Sequence, residues 1–161
     1  MAQIFDRRDV LKGAGALALT VAAAPLRAQA PAPVVVNNAL IEAAKKEGKV
    51  SYYTSIDLPM AQRIGKAFEE KYPGIAVKVE RTGAERVFQR IGQEYASNIH
   101  AVDVVNSSDA AHMIVWKRDG LLAPCVTEDM AKHYPAEHVD ADGMFASFRA
   151  TLSVMAYNTT W

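Results

Sequence analysis

Hydrophobic and polar positions follow two periods along this chain, and the switches between them mark its elements. Residues 50–54 read as a strand, and Asp57-Leu58-Pro59 opens a helix with Met60, Ile64, Ala67, Phe68 and Tyr72 on one face, stopped by Pro73-Gly74. Residues 75–80 give a second strand, apolar at Ile75, Val77 and Val79. Thr82 and Glu85 have capping-box spacing, and Val87, Phe88, Ile91 and Tyr95 recur behind them at helical intervals. Residues 101–105 form a third strand, and its helix runs over about 109–118 with Gly120 as the stop. Upstream, Asn37 or Asn38 caps a helix that ends at Gly48, and the Pro-Ala-Pro-Val-Val-Val run of residues 31–36 is a short extended linker.

Three strands alternating with helices, without hairpin turns between the strands, imply right-handed crossovers and an open parallel α/β sheet. Beyond Gly120 the pattern loosens. Thr127 starts a short helix, Pro135 ends it, Asp140 to Gly143 turn the chain, and residues 144–148 and 152–157 read as strands. The last of these runs straight into Asn158-Thr159-Thr160-Trp161 with no closing helix, the ending expected of a truncated reading frame.

The first thirty residues are of a different kind. Arg7-Arg8 stand beside Val10-Leu11-Lys12, ahead of an uncharged, Ala-rich run from Gly13 to Leu26. This is the order of an export signal, and the paired arginines point to the twin-arginine (Tat) route. The run falls short of the roughly 20 apolar residues that span a bilayer, so it is a leader and not an anchor. Ala28 and Ala30 make an A-x-A cleavage site; Pro31 would follow the cut, which leaves cleavage after Ala28 open as well. Residues 1–30 are therefore set apart from the fold.

The remaining chain holds 14 Lys and Arg against 16 Asp and Glu, a formal charge of −2. That balance gives nothing for nucleic acid or a lipid surface to recognise. A single cysteine, Cys125, cannot form an internal disulfide, and its Leu-Leu-Ala-Pro-Cys-Val setting reads as half-buried with no cationic neighbour to activate it.

Candidate chemistry gathers where the strands end. In a parallel sheet the loops leaving the carboxyl ends share one edge, and ligands bind there. The three loops are Thr54-Ser55-Ile56-Asp57, Arg81-Thr82-Gly83-Ala84-Glu85 and Asn106-Ser107-Ser108-Asp109. Each offers hydroxyl or amide groups and leads into a helix N-terminus, whose free N–H groups suit an anionic or carbonyl-rich solute. Arg81 and Arg86 add positive charge. Ser55, Thr82 and Ser108 are equally good as helix caps, and Asp57 and Asp109 read as caps. Tyr52 and Tyr53, adjacent on a strand, face opposite sides. His133, His138, Asp140 and Asp142 cluster in sequence but match no closed zinc spacing, and His100 and His112 stand alone, in solvent or core. No G-x-S-x-G and no Gly-rich phosphate loop occurs, so the sequence carries no sign of catalysis.

Five segments in order complete the picture: residues 50–57, Ala67-Phe68-Glu69-Glu70-Lys71-Tyr72-Pro73-Gly74-Ile75, Val102-Asp103-Val104-Val105, Gly120-Leu121-Leu122-Ala123-Pro124 and Ala156-Tyr157-Asn158-Thr159. Together they resemble the family 1 extracellular solute-binding proteins of ABC transporters, the iron(III)-type periplasmic group in particular, over residues 48–161. The resemblance implies an α/β, type 2 periplasmic-binding-protein fold of which this chain is the first lobe. Residues 37–150 would be that lobe, residues 151–161 the first inter-lobe crossing, and the second lobe would be missing. It further implies a monomeric periplasmic protein, not an enzyme and without a cofactor, exported by the Tat translocase. Such a protein hands a small solute to an inner-membrane permease with its ATPase.

Ligand contacts are expected at Thr54, Ser55, Asp57, Thr82, Gly83, Arg86, Ser107, Ser108 and Tyr157, and no metal ligands are assigned. Iron-binding members offer a His after the first strand and a Glu after the third. Those places hold Asp57 and Ser108 here, so iron stays open without first-lobe support, and the hydroxyl-rich loops look more like a cradle for an organic anion such as a carboxylate, phosphonate or sugar phosphate, with a cationic solute such as a polyamine or thiamine also open. With half a cleft, the chain alone is expected to bind its solute very weakly. The rivals are a Tat-exported periplasmic enzyme, which would need a cofactor motif, and a sensory receptor module built on the same binding fold.

Overall fold

The structure, a computed structural model, describes residues 31–150 together with Met155 and Tyr157. The expected export signal, with Arg7, Arg8, Ala28 and Ala30, lies outside these residues, as does most of the expected crossing strand.

The centre is a three-stranded parallel sheet. β1 (Lys49–Thr54) lies between β2 (Ala76–Arg81) and β3 (Val104–Asn106), in the order β2-β1-β3. Lys49 pairs with Ala76 and Thr54 with Arg81 on one side, and Tyr52 pairs with Val104 and Thr54 with Asn106 on the other. The carboxyl ends of all three strands thus meet at Thr54, Arg81 and Asn106.

Around the sheet lie α1 (Asn38–Glu47), α2 (Leu58–Lys71), α3 (Ala84–Ala96), α4 (Ala110–Arg118) and α5 (Glu128–His133). Their ends follow the local chemistry. Asn37 caps α1 by accepting from the Leu40 N–H, and Gly48, at φ 71, closes it in the left-handed region that favours glycine. Asp57 and Asp109 cap α2 and α4, and Thr127 caps α5.

The pleat divides the core into two layers. Tyr52 packs with Ile56 and Ala61 against Val77 and Val79, on the α2 face. Tyr53 packs with Val87 and Ile91 of α3 and Trp116 of α4 on the opposite face.

Several expectations need correction. The buried residues of α2 are Ala61 and Gly65, whereas Met60, Ile64 and Phe68 are 42%, 39% and 37% exposed. A Cβ on Gly65 would stand 3.2 Å from Val77 Cγ1, so the helix approaches β2 along its small residues and the large apolar ones fall to its flank. Thr82 does not cap α3. Its N–H still extends the ladder to the Thr54 carbonyl at 3.1 Å, which moves the N-cap to Gly83, without a side-chain bond.

β3 starts three residues later than expected. Ahead of it, the Asp103 carboxylate accepts the Ser51 N–H at 2.7 Å in place of a ladder carbonyl. Residues 144–148 make only a bridge, Ala146 to Val139, because the segment opposite is the 3-10 turn Ala136–His138. The linker residue Val34 docks beside Thr127, its N–H donating to the Val126 carbonyl at 2.8 Å. Cys125 is exposed as a residue, yet burial of its sulfur, and then the Asp140 charge, raises the thiol above its usual value.

Candidate functional site

Connectivity sets up the site. β1 leads into α2 on the Tyr52 face, while β2 and β3 lead into α3 and α4 on the Tyr53 face, so the loops part around the carboxyl end of β1. In open α/β sheets such a parting makes a crevice for ligands.

Its floor is built by Thr54 and Asn106. Thr54 is 0% exposed, and its hydroxyl donates to Asn106 Oδ1 at 3.1 Å while accepting the Ile56 N–H at 3.2 Å. The Ser55 N–H donates to the Asn106 carbonyl at 3.2 Å. Thr54 therefore faces protein and holds the three strand ends together, a role different from the solute contact expected of it.

Above this floor the β1 and β3 loops bind each other. Ser55 Oγ accepts the Ser108 N–H at 2.9 Å, and Ser107 Oγ accepts the Asp109 N–H at 3.1 Å. Asp109 Oδ1 accepts the Ala111 N–H at 2.9 Å and so caps the first turn of α4. Ser55 and Ser107 are half-buried and Ser108 is exposed. Ser55, Ser107 and Ser108 are thus brought together as the sequence suggested.

The β2 loop stands beside them with Thr82 half-buried and Gly83 and Arg86 exposed. Arg81 reaches back across the edge, its Nε donating to the Ile56 carbonyl at 3.1 Å. Asp57 is exposed, with its carboxylate accepting the Met60 N–H at 3.2 Å. Tyr157 is 85% exposed.

Under the β2 loop, Tyr53, Glu80, Arg81, Thr82, Val87 and Arg90 line a depression of about 250 Å³. Two of its three charged residues, Glu80 and Arg90, are paired. The Arg90 guanidinium lies 4.3 Å over the Tyr53 ring, donates to Tyr53 Oη at 2.6 Å and to Glu94 Oε1 at 2.7 Å, and pairs with Glu80. Burial raises the Tyr53 phenol, helped by the Glu94 and Glu80 carboxylates and opposed by the Arg90 charge, and the hydrogen bond to Glu94 is first among the causes that raise Arg90.

The residue that sequence reasoning passed over is His112. Its ring is buried, stacks on Phe88 at 4.4 Å and sets Nδ1 2.9 Å from Ser107 Oγ. Nε2 lies 3.5 Å from Glu85 Oε2 and 3.8 Å from Asp109 Oδ2. The ring is turned the opposite way from a serine-hydrolase relay, in which Nε2 meets the hydroxyl and Nδ1 the acid. The signal available in sequence was its place three residues after the α4 cap, behind the expected ligand loop.

Among the described residues no three His, Cys, Asp or Glu gather around a metal position. Asp140 and Asp142 instead grip Lys117, each at 2.7 Å, and His133 Nδ1 lies 3.1 Å from the Asp129 carbonyl. None of the described helices is long and apolar enough to cross a membrane.

No protein-family model matches the chain, and no curated protein matches it. Solved structures do. Iron-bound HitA from Pseudomonas aeruginosa aligns with a TM-score of 0.52 and 27% identity over 59% of this chain and 30% of that one. IdiA (FutA) from Trichodesmium, in complex with iron and citrate, aligns with a TM-score of 0.52 and 22% identity over 60% of this chain and 30% of that one. The chain spans about 30% of the length of both. Its α/β fold, a small parallel sheet with flanking helices, is part of the periplasmic-binding-protein fold of these two structures.

Proposed function

We propose that this chain supplies one wall of a solute-binding cleft in the periplasmic receptor of an ABC importer, and that the solute is a small organic anion of the carboxylate class. The observation that carries the reading is the junction of the β1 and β3 loops, Ser55 Oγ to the Ser108 N–H at 2.9 Å, at the head of α4. Serine hydroxyls and a helix N-terminus meet there at the carboxyl edge of the sheet, an arrangement matched to spread negative charge.

The alignment with two iron-bound structures, one also holding citrate, supports a binding role for this fold. Asp57 and Ser108 stand where the resemblance would put a His and a Glu in iron-binding relatives, so this wall favours the anion over a bare ferric ion. Ser55, Thr82, Gly83, Arg86, Ser107 and Ser108 are the contacts; Asp57 borders them at the cap of α2, and Thr54 holds the floor. Function is capture: the solute bridges this wall and a second lobe, which stabilises the closed receptor that a permease and its ATPase recognise.

The test is calorimetric titration of the chain with citrate. Binding is expected, weak because one wall acts alone, and the Ser55→Ala, Thr82→Ala, Ser108→Ala triple variant should lose at least about tenfold in affinity, the cost of one or two hydrogen bonds to a charged group. Citrate affinity unchanged in that variant would contradict the site.

A further inference from the structure

The anion crevice has a buried ionisable group directly behind it. His112 is 7% exposed, with Phe88 stacked on it and the Trp116 ring 5.8 Å away. Two carboxylates face Nε2, Glu85 from the first turn of α3 and Asp109 from the head of α4. On its other side Nδ1 meets the hydroxyl of Ser107, 2.9 Å away.

We infer that His112 is a positioning residue for the anion site, whose proton state sets which way the Ser107 hydroxyl donates. The inference rests on the anion reading above. A neutral ring carries one proton, and the negative charges 3.5 and 3.8 Å from Nε2 favour it there. Nδ1 is then an acceptor, and Ser107 points its proton inward to it.

When the ring takes a second proton from solvent, Nδ1 becomes a donor and Ser107 Oγ must accept. A hydroxyl oxygen has two acceptor sites, so Ser107 can accept from Nδ1–H and from the Asp109 N–H together. Its own proton is released from the ring and swings toward the crevice, where a bound anion takes it. No heavy-atom bond changes, and the only proton gained is the one on Nδ1. The same proton places a positive charge between Glu85 and Asp109, drawing the heads of α3 and α4 together beside the solute. Anion binding and proton uptake at His112 are thereby linked, each favouring the other.

The test compares citrate affinity at about pH 5.5 and about pH 8 for the wild-type chain, His112→Asn and Ser107→Ala. Citrate's own titration is common to all three proteins and cancels in the comparison. The affinity gain at the lower pH is expected to be about tenfold larger in the wild type than in either variant. Ser107→Ala keeps the buried ring and carries the test should His112→Asn fail to fold. Imidazole nitrogen spectra of the ligand-free wild type give a second readout, with the Nε2–H tautomer expected at the higher pH. Equal gains in all three proteins, or an Nδ1–H tautomer, would overturn the inference and leave the anion site standing. No citrate binding at either pH would overturn both.

Discussion

The Thr54 hydroxyl donates to Asn106 Oδ1 across 3.1 Å and accepts the Ile56 N–H at 3.2 Å, so one buried side chain ties β1 to β3 and starts the loop into α2. Thr54→Val keeps the shape and removes both bonds, leaving the Asn106 amide oxygen and the Ile56 N–H without this partner. A stability loss of about 1–3 kcal/mol is expected, read as a lower urea midpoint with unchanged slope. An unchanged midpoint would show that the strand ends are held some other way.

Arg90 joins three groups that would otherwise conflict. It bonds Glu94 and Tyr53 and pairs with Glu80, while Glu94 Oε2 is buried with no partner of its own. Removing the guanidinium in Arg90→Met would leave two carboxylates against a buried phenol. Breaking a fully buried pair costs about 3–5 kcal/mol, but the Arg90 side chain is 44% exposed, and solvent screening brings the expected loss to about 1–3 kcal/mol. Thermal melts of the two proteins at neutral pH decide it.

Acid should loosen the clasp between α4 and the 140–143 turn. Burial acts to raise the Asp140 carboxyl, but the Lys117 ammonium and the Met144 and Asp142 N–H groups outweigh it, and the group lies below its ordinary 3.8. A depressed folded value means stability that is present above the unfolded value and lost as pH falls through the folded one. The stability difference between wild type and Lys117→Met is therefore expected to be constant near neutrality and to shrink as pH drops below 3.8. A difference that holds in acid would assign the clasp's contribution to packing of the lysine stem.

β2 is an edge strand of the described sheet, and one of its outward N–H groups is covered. Ala76 and Thr82 donate toward β1, to Gly48 and Thr54, whereas Val77, one residue out of phase, donates to Glu69 Oε1 of α2 at 2.7 Å. Side chains that cover an edge discourage pairing with another chain. Glu69→Ala should lower stability by about 1–2 kcal/mol and promote self-association. Light scattering across a concentration series would show the association, and a strictly monomeric variant would contradict this role.

Much of the fold was legible in the sequence because its signals are local. Asn37, Asp57, Asp109 and Thr127 cap the helices that follow them, and the adjacent tyrosines of β1 fall to opposite faces. What escaped depends on contacts between distant residues. The face that α2 buries is chosen by the close approach of Gly65 to Val77, which no periodicity of large apolar residues reveals. Thr82 looked like a cap because nothing local shows that its N–H continues a ladder with Thr54. The three loops at the carboxyl edge of the sheet could be named from their composition and position. That Thr54 turns inward while Ser107 rests on His112 follows only from the β1–β3 pairing and the packing of α3 against α4.

The most direct measurement is amide chemical-shift mapping of the chain titrated with citrate, which reports the site even when binding is weak. The shifts are expected to concentrate at Ser55, Gly83, Ser107 and Ser108, on the carboxyl edge of the sheet, with α2 and the Lys117 clasp unmoved. Shifts that instead gather along α2 or around Lys117, or an absence of any shift at the sheet edge, would contradict an anion site where β1, β2 and β3 end.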